Sequence, residues 1–347
     1  MFRWLKRLGC AVVVLALVLV TLSVFVRYQG VQHLAALRAG HARPLPALET
    51  YAAEPAGGTL PCALAPVTVL TYNIFNGSTW AEAMVERFAN GDLQGMRPWS
   101  ERVPELKERV AEYNPDLIGF QEFLTDADVM SIVPNPDAYT LHSYKLGSFE
   151  WGDSALLFKH DRFEMLESGQ VWLGPTPDLP LAFGFKRLSM LRYVNWAVMR
   201  EKASGFTFLF VNTHFDNAMA NKAPSAPLYR ERFAARTATM PVIATGDFNS
   251  NATTERYQVF VGADATPPLL QNAHDLAATP RVWTPSGELR AIQAGEDLAP
   301  AFRIDHILVG GPCPVTVEDW FIDLRPMRNG EPLSDHDPMV ARIRFGS

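Results

Sequence analysis

"LSDHDPMVARIRF" occupies residues 333–345, close to the C-terminus. In its second half Met339, Ala341, Ile343 and Phe345 alternate with other side chains, the period of a strand that buries one face. Ser334, Asp335, His336 and Asp337 stand immediately before that strand. Alone, such a cluster can be a helix cap or an Asx turn. It becomes a candidate active-site wall only if other strands bring polar residues to the same end.

Several other runs read as strands: "VTVLTYNIF" (67–75), "DLIGFQEF" (116–123), "DSALLFKHDRFE" (153–164), "YVNWAVMRE" (193–201), "FTFLFVNTHF" (206–215), "MPVIATGDFNS" (240–250) and "FRIDHILVG" (302–310). "SERVPELKERVAEYN" (100–114) predicts a helix. Strands outnumber helices and the connections are long. This pattern suits an α+β sandwich better than a regular doubly wound sheet. Asn73 ends the first run, Gln121 and Glu122 the second, Asn212 and His214 the "FLFV" run, and Asp247 and Asn249 follow "PVIAT". Asp305 and Asp335–His336 instead begin their strands. If those two strands run antiparallel to the others, one pocket gathers Asn73, Glu122, His214, Asp247, Asn249, Asp305, Asp335 and His336.

Composition is that of a globular chain, 48% hydrophobic and 20% charged over 347 residues. Residues 1–59 hold six bases and two acids, which leaves 25 bases and 35 acids in residues 60–347. An acidic body is unsuited to indiscriminate binding of nucleic acid or anionic membrane. Leu8–Val26 is a charge-free run of 19 residues preceded by Arg3, Lys6 and Arg7. It predicts a transmembrane anchor over 8–26, or a signal sequence, with a cytoplasmic basic tail (1–7) and an exported body. Residues 27–65, rich in Pro, Ala and Gly, read as a tether, and 66–347 as the catalytic domain.

The series "TYN", "QE", "NTH", "GDFN", "IDHI" and "SDHDP" resembles the endonuclease/exonuclease/phosphatase superfamily, which includes DNase I-like nucleases, abasic-site endonucleases, inositol polyphosphate phosphatases and neutral sphingomyelinases. The resemblance spans about residues 66–345. It implies a four-layered α/β sandwich with two packed mixed sheets, and a metal-dependent phosphoesterase. Asn217 in "THFDN" stands where related bacterial members often carry a second histidine, so Asp216 and Asn217 have no assigned role.

Phosphoester hydrolysis needs charge neutralised on the phosphoryl oxygens, a water activated and a leaving oxygen stabilised. Mg²⁺ takes hard oxygen ligands and keeps several waters, so one or two carboxylates can hold it, with Mn²⁺ as an alternative. The family pattern makes Glu122 the metal ligand, with Asn73 beside it and Asp335 as a second carboxylate. His336 is the expected general base or proton relay, with Asp305 fixing its tautomer. Asp247 is expected to position the attacking water or leaving oxygen, and Asn249 and His214 to hydrogen-bond the phosphoryl group.

The leading expectation is a membrane-tethered, exported phosphodiesterase acting on a lipid, nucleotide or nucleic acid. A nuclease is the alternative, and an inactive cell-surface binding module is the alternative of another class. No "HExxH", paired-cysteine, dinucleotide or P-loop signature is present, and no protein partner is implied. The loop "GPTPDLPLAFGFKR" (174–187), with Phe183, Phe185, Lys186 and Arg187, either packs on the body or reaches towards substrate. Of three cysteines, Cys10 lies in the membrane run, which leaves Cys62 and Cys313. Asn73 must end its strand at the pocket and Asp305 must begin its strand there. If those strands are antiparallel neighbours, both cysteines fall at the remote end, and a disulfide is expected in an oxidising compartment.

Overall fold

The computed structural model describes residues 62–346 apart from 76–96, 124, 147–148, 151, 179–183, 187–190, 294, 297 and 299–303, together with residues 14, 15, 17, 18 and 21. Most of the expected 8–26 anchor and almost all of the tether lie outside the described residues. Among the described residues no helix is long and apolar enough to cross a membrane.

The strands in chain order are β1 (Leu64–Asn73), β2 (Leu117–Gln121), β3 (Tyr139–His142), the short pair β4 and β5 (Lys145–Leu146, Phe149–Glu150), β6 (Ser154–Lys159), β7 (Phe163–Trp172), β8 (Tyr193–Glu201), β9 (Thr207–His214), β10 (Val242–Asp247), β11 (Gln271–Asn272), β12 (Arg281–Trp283), β13 (Leu289–Ala291), β14 (Asp305–Gly310), β15 (Val315–Asp323) and β16 (Met339–Phe345). The helices are α1 (Trp99–Tyr113), α2 (Asp126–Ser131), α3 (Met219–Arg232), α4 (Glu255–Val261) and α5 (Ala273–Leu276). One mixed sheet has the order β13-β12-β15-β16-β1-β2-β6-β3, and the other β11-β14-β10-β9-β8-β7.

Period-two alternation assigns each residue to a layer. In β1, Val67 and Val69 join Phe208 and Phe210 of β9, Ile243 of β10 and Ile307 of β14 in the core between the sheets. The alternate residues Leu70 and Tyr72 pack outward under Leu106 and Val110 of α1. On the second sheet, Val211 and Ala244 face Tyr229 of α3 and Phe260 of α4. Helices therefore flank two packed mixed sheets. Extending the inward registers towards one end gives Asn73, His214, Asp247 and Asp305. The candidate site residues are thus the terminal members of the same faces that build the core.

Strand direction gathers them. β1 runs parallel to β2, and β9 parallel to β10. β14 is antiparallel to β10 with Asp247 opposite Asp305, and β16 is antiparallel to β1. Near this end the inter-sheet layer turns polar. Buried Gln121 Nε2 donates to Asn212 Oδ1 (2.7 Å) and Thr71 Oγ1 (3.2 Å), and Asn212 Nδ2 donates to the carbonyls of Phe120 and Ala155. These bonds satisfy groups whose burial would otherwise be costly. Gln121 and Asn212 thus brace the sheets beneath the pocket and do not line it. A side chain at Gly119 would place its Cβ 2.1 Å from Thr245 Oγ1, so close sheet approach requires glycine there.

Cys62 and Cys313 form a disulfide with Cα atoms 5.4 Å apart. β1 and β14 belong to different sheets, so the expected neighbouring antiparallel pair is replaced by facing strands. The bridge ties the segment before β1 to the β14–β15 connection, at the end remote from Asn73 and Asp305.

Candidate active site

The "SDHD" segment is held by its own serine. Ser334 Oγ donates to the Asn73 carbonyl at 2.7 Å, which fixes the segment to the end of β1. Arg102 of α1 clamps both sides of this junction from below. Its buried guanidinium donates to the carbonyls of Ile74 (3.1 Å), Phe75 (3.1 Å) and Leu333 (2.7 Å). Glu122 follows β2 with φ of 56°, a left-handed conformation unusual outside glycine. Strict alternation would put it on the α1 face with Phe120. Instead its carboxylate lies 3.7 Å from His214 Nε2, in the pocket. Asn249 is also left-handed, at φ 46°, and its N–H donates to Asp247 Oδ1 at 2.8 Å.

Asp247 Oδ2 is the hub. Asn73 Nδ2 donates to it at 3.2 Å, His214 Nε2 lies 3.3 Å away and His336 Nε2 3.6 Å away. Each histidine is backed by a second aspartate. His336 Nδ1 donates to Asp305 Oδ2 at 2.6 Å. His214 Nδ1 donates to Asp153 Oδ1 at 2.9 Å, and Arg192 Nη1 lies 2.5 Å from the same oxygen and 2.6 Å from the same ring nitrogen. Two Asp–His pairs therefore flank one carboxylate.

Burial pushes the Asp247 carboxyl up, His214 and His336 pull it back, Asp305 adds to the rise, and the balance is a raised pKa. Burial presses His336 towards neutrality, but Asp305, Asp247 and Asp335 prevail and lift it to about 11. Burial and Arg192 likewise oppose protonation of His214, yet Asp153 and Asp247 hold its pKa above the ordinary value. Asp153 would rise on burial, but Arg192 and His214 keep it below the usual carboxylate range. His336 is therefore a cation at neutral pH in the metal-free protein, and the charged form of His214 is favoured relative to a free imidazole.

Of the expected metal ligands, Glu122 is half-buried and Asp335 exposed, whereas Asn73 is buried. Glu122, His214 and Asp247 offer ligand atoms within 4.8 Å of one another, as do Asp247, Asp305 and His336. Asp335 stays solvent-exposed. Desolvation of its inner side and repulsion from Glu122 raise its pKa against the pull of His336. A carboxylate whose charge is opposed by a facing carboxylate offers a donor set suited to a hard divalent cation. Asn73 Oδ1 accepts the Phe75 N–H at 3.0 Å, which turns its amide N–H towards Asp247. Asn249 commits one amide N–H to the Phe215 carbonyl at 2.9 Å. Cavities of about 230 Å³, beside Asp305, and about 330 Å³, behind His336 and Asp337, adjoin the pocket.

All eight expected residues meet at this end of the sandwich. Asp153, Arg192 and Arg102 are additional. Asp153 and Arg192 stand one residue before β6 and β8, which begin at the pocket because each is antiparallel to a strand that ends there. The reasoning applied to Asp305 would have found both. Asp216 accepts from the Ala218 N–H and from Asn221 Nδ2, so it shapes the start of α3. Asn217 is exposed. Of the 174–187 loop, Phe185 packs against the α3 side of the core and Lys186 is exposed; Phe183 and Arg187 lie outside the described residues.

The sequence matches the model of the Endonuclease/Exonuclease/phosphatase family over residues 70–336. No curated protein matches the chain. A solved endonuclease/exonuclease/phosphatase family protein of Bacteroides thetaiotaomicron is similar, at 25% identity and TM-score 0.59 over 81% of this chain and 95% of that one. So is a mannosyl-6-phosphatase of Bacteroides thetaiotaomicron, at 25% identity and TM-score 0.60 over 80% of this chain and 100% of that one. The human Nocturnin catalytic domain, at 18% identity and TM-score 0.56 over 82% of this chain and 96% of that one, shares the fold. With a family match across most of the sandwich and a pocket at the shared strand ends, the chain belongs to the endonuclease/exonuclease/phosphatase family of hydrolases.

Proposed function

We propose that the chain is a divalent-metal-dependent phosphodiesterase, with Mg²⁺ as the metal, exported and tethered by residues 8–26. The observation that carries the chemistry is the convergence of two Asp–His pairs and Glu122 on Asp247. Glu122 and Asp335 would hold the metal, with Asn73 beside them. When bound, the cation neutralises charge on the phosphoryl oxygens. Asp247, with its raised pKa, takes the proton of the attacking water as the new P–O bond forms. His336, held as an imidazolium by Asp305, donates its Nε2 proton to the departing oxygen as the old P–O bond breaks. His214, whose proton Asp153 stabilises, and the second side-chain N–H of Asn249 hold the phosphoryl group.

The test is hydrolysis by residues 60–347 of bis-p-nitrophenyl phosphate, sphingomyelin, DNA, RNA, inositol phosphates and mannose 6-phosphate. The last follows from the likeness to a mannosyl-6-phosphatase. Diester cleavage that disappears in excess chelator, returns with Mg²⁺ and is lost in Glu122→Gln supports the reading. Full turnover in chelator refutes metal dependence, and cleavage of monoesters alone refutes the diester preference. Protease added to intact cells stripped of any outer membrane tests export; a protected body refutes it.

A further inference from the structure

Charge around the pocket is uneven. Carboxylates crowd the Glu122–Asp335 side, whereas two cations stand together beside Asn249. Lys222, in α3, donates from Nζ to the Asn249 carbonyl at 3.0 Å. Arg256, in the first turn of α4, places Nε 3.4 Å from Ser250 Oγ and Nη1 3.3 Å from the sulfur of exposed Met219. The two cations thus lean on consecutive residues of "GDFNS", the segment that carries Asp247. Among the described residues neither is ion-paired, although Arg230 and Arg232 farther along α3 pair with Asp264 and Asp178. A third basic residue stands nearby: the N–H groups of Phe185 and Lys186 both donate to Asn221 Oδ1, at 3.0 and 3.1 Å, which fixes the backbone of exposed Lys186 against the residue before Lys222.

Like charges placed side by side without a counter-ion repel, and an oxyanion relieves the repulsion. Burial and then Arg256 push the Lys222 ammonium below its ordinary pKa, against the weaker pull of Asp247 and Asp216. We propose that Lys222 and Arg256, flanked by Lys186, form a second anion subsite that takes a phosphate group of the substrate other than the one being cleaved. The proposal rests on the phosphoesterase reading and narrows it to substrates with a second phosphate. The Lys222 ammonium touches the backbone of Asn249 and the Arg256 guanidinium the next residue, so a phosphate held by them would lie beside the one held by Asn249.

Pyridoxal 5′-phosphate tests this without relying on turnover. Its phosphate is the probe, its aldehyde forms an imine with a nearby lysine with loss of water, and borohydride reduces the imine to a stable amine. In the metal-free full chain, peptide mapping should find Lys222 labelled about tenfold faster than Lys202, because a charge-assisted bond from Arg256 holds the probe's phosphate beside it. Inorganic phosphate should protect it. Protection should persist in His214→Gln, which removes a phosphoryl contact from the catalytic pocket, and Arg256→Gln should slow Lys222 labelling about tenfold by loosening the probe. Labelling of Lys222 no faster than the other lysines overturns the subsite. So does protection that vanishes in His214→Gln, which would place the shielding ion in the catalytic pocket. Normal metal-dependent diester hydrolysis with no selective labelling rejects the subsite alone, whereas selective, protected labelling without any phosphoester hydrolysis rejects the phosphoesterase reading.

Discussion

Replacing Asp305 with Asn should lower the pKa of His336 by about 3 units. The side chains of the pair are 7% and 14% exposed, and Nδ1 lies 2.6 Å from Oδ2. Their charges are delocalised over the ring and the carboxylate, so an effective separation of about 4 Å is appropriate. At an effective dielectric of about 20 the attraction is about 4 kcal/mol. With about 1.4 kcal/mol per unit, its removal takes His336 from about 11 to about 8. The assay is NMR titration of the histidine Cε1–H resonances in metal-free protein, with His336→Gln to assign the signal. In the wild type the signal should not titrate below pH 9; in Asp305→Asn its midpoint should enter the observable range. The folded pKa is raised above the unfolded value near 6.5, so the pair's stabilisation is complete below that pH and is lost as pH rises through about 11. A wild-type midpoint near 6.5 would refute the reasoning and restore His336 as a neutral base.

Asp153→Asn should return His214 towards a lower pKa and leave Arg192 buried without its ion-pair partner; turnover should fall about a hundredfold at neutral pH, read from kcat with KM as comparison. A wild-type kcat would remove the Asp153–His214 pair from the mechanism. Arg102→Met deprives four carbonyls, those of Ile74, Phe75, Leu333 and Arg97, of their donor and should cost about 3–5 kcal/mol in urea unfolding. A loss below about 1 kcal/mol would show that the clamp is dispensable. Cys62→Ala should lower stability by about 2–4 kcal/mol under non-reducing conditions and not at all in reductant, because a bridge between residues 251 positions apart restricts a long loop of the unfolded chain. Equal stability in both conditions would mean that the bridge is absent in solution.

The pocket was legible because its residues end or begin strands whose inner faces are apolar. Val67, Val69 and Thr71 set the inward register that reaches Asn73; Phe208, Phe210 and Asn212 set the one that reaches His214. Period two is a strong signal where every alternate residue is buried. The same signal failed for β15, where Glu318 and Asp319 sit at a bulge that shifts the register between Val317 and Asp319. α3 carries Pro224 and Pro227 inside it and runs through both, so its sequence lacks the usual helix signals. Arg102 was invisible for a third reason. On an amphipathic helix an arginine is assigned to solvent, and only the loops that converge beneath α1 supply the carbonyls that draw it inward.

What separates the legible from the hidden part is therefore the range of the constraint. Strand alternation is local, and it carries the first residues of the site. The groups that orient them answer to the approach of two sheets that are distant in sequence. Gly119 permits that approach, Gln121 and Asn212 bond across it, and Asp153 reaches His214 because β6 of one sheet opens beside β9 of the other. A site built at the seam between sheets takes its reactive residues from strand ends and its electrostatics from sheet packing. Asp247 acquires both histidines as neighbours only after the seam has closed, and their protonation states belong to the folded protein rather than to any segment of its sequence.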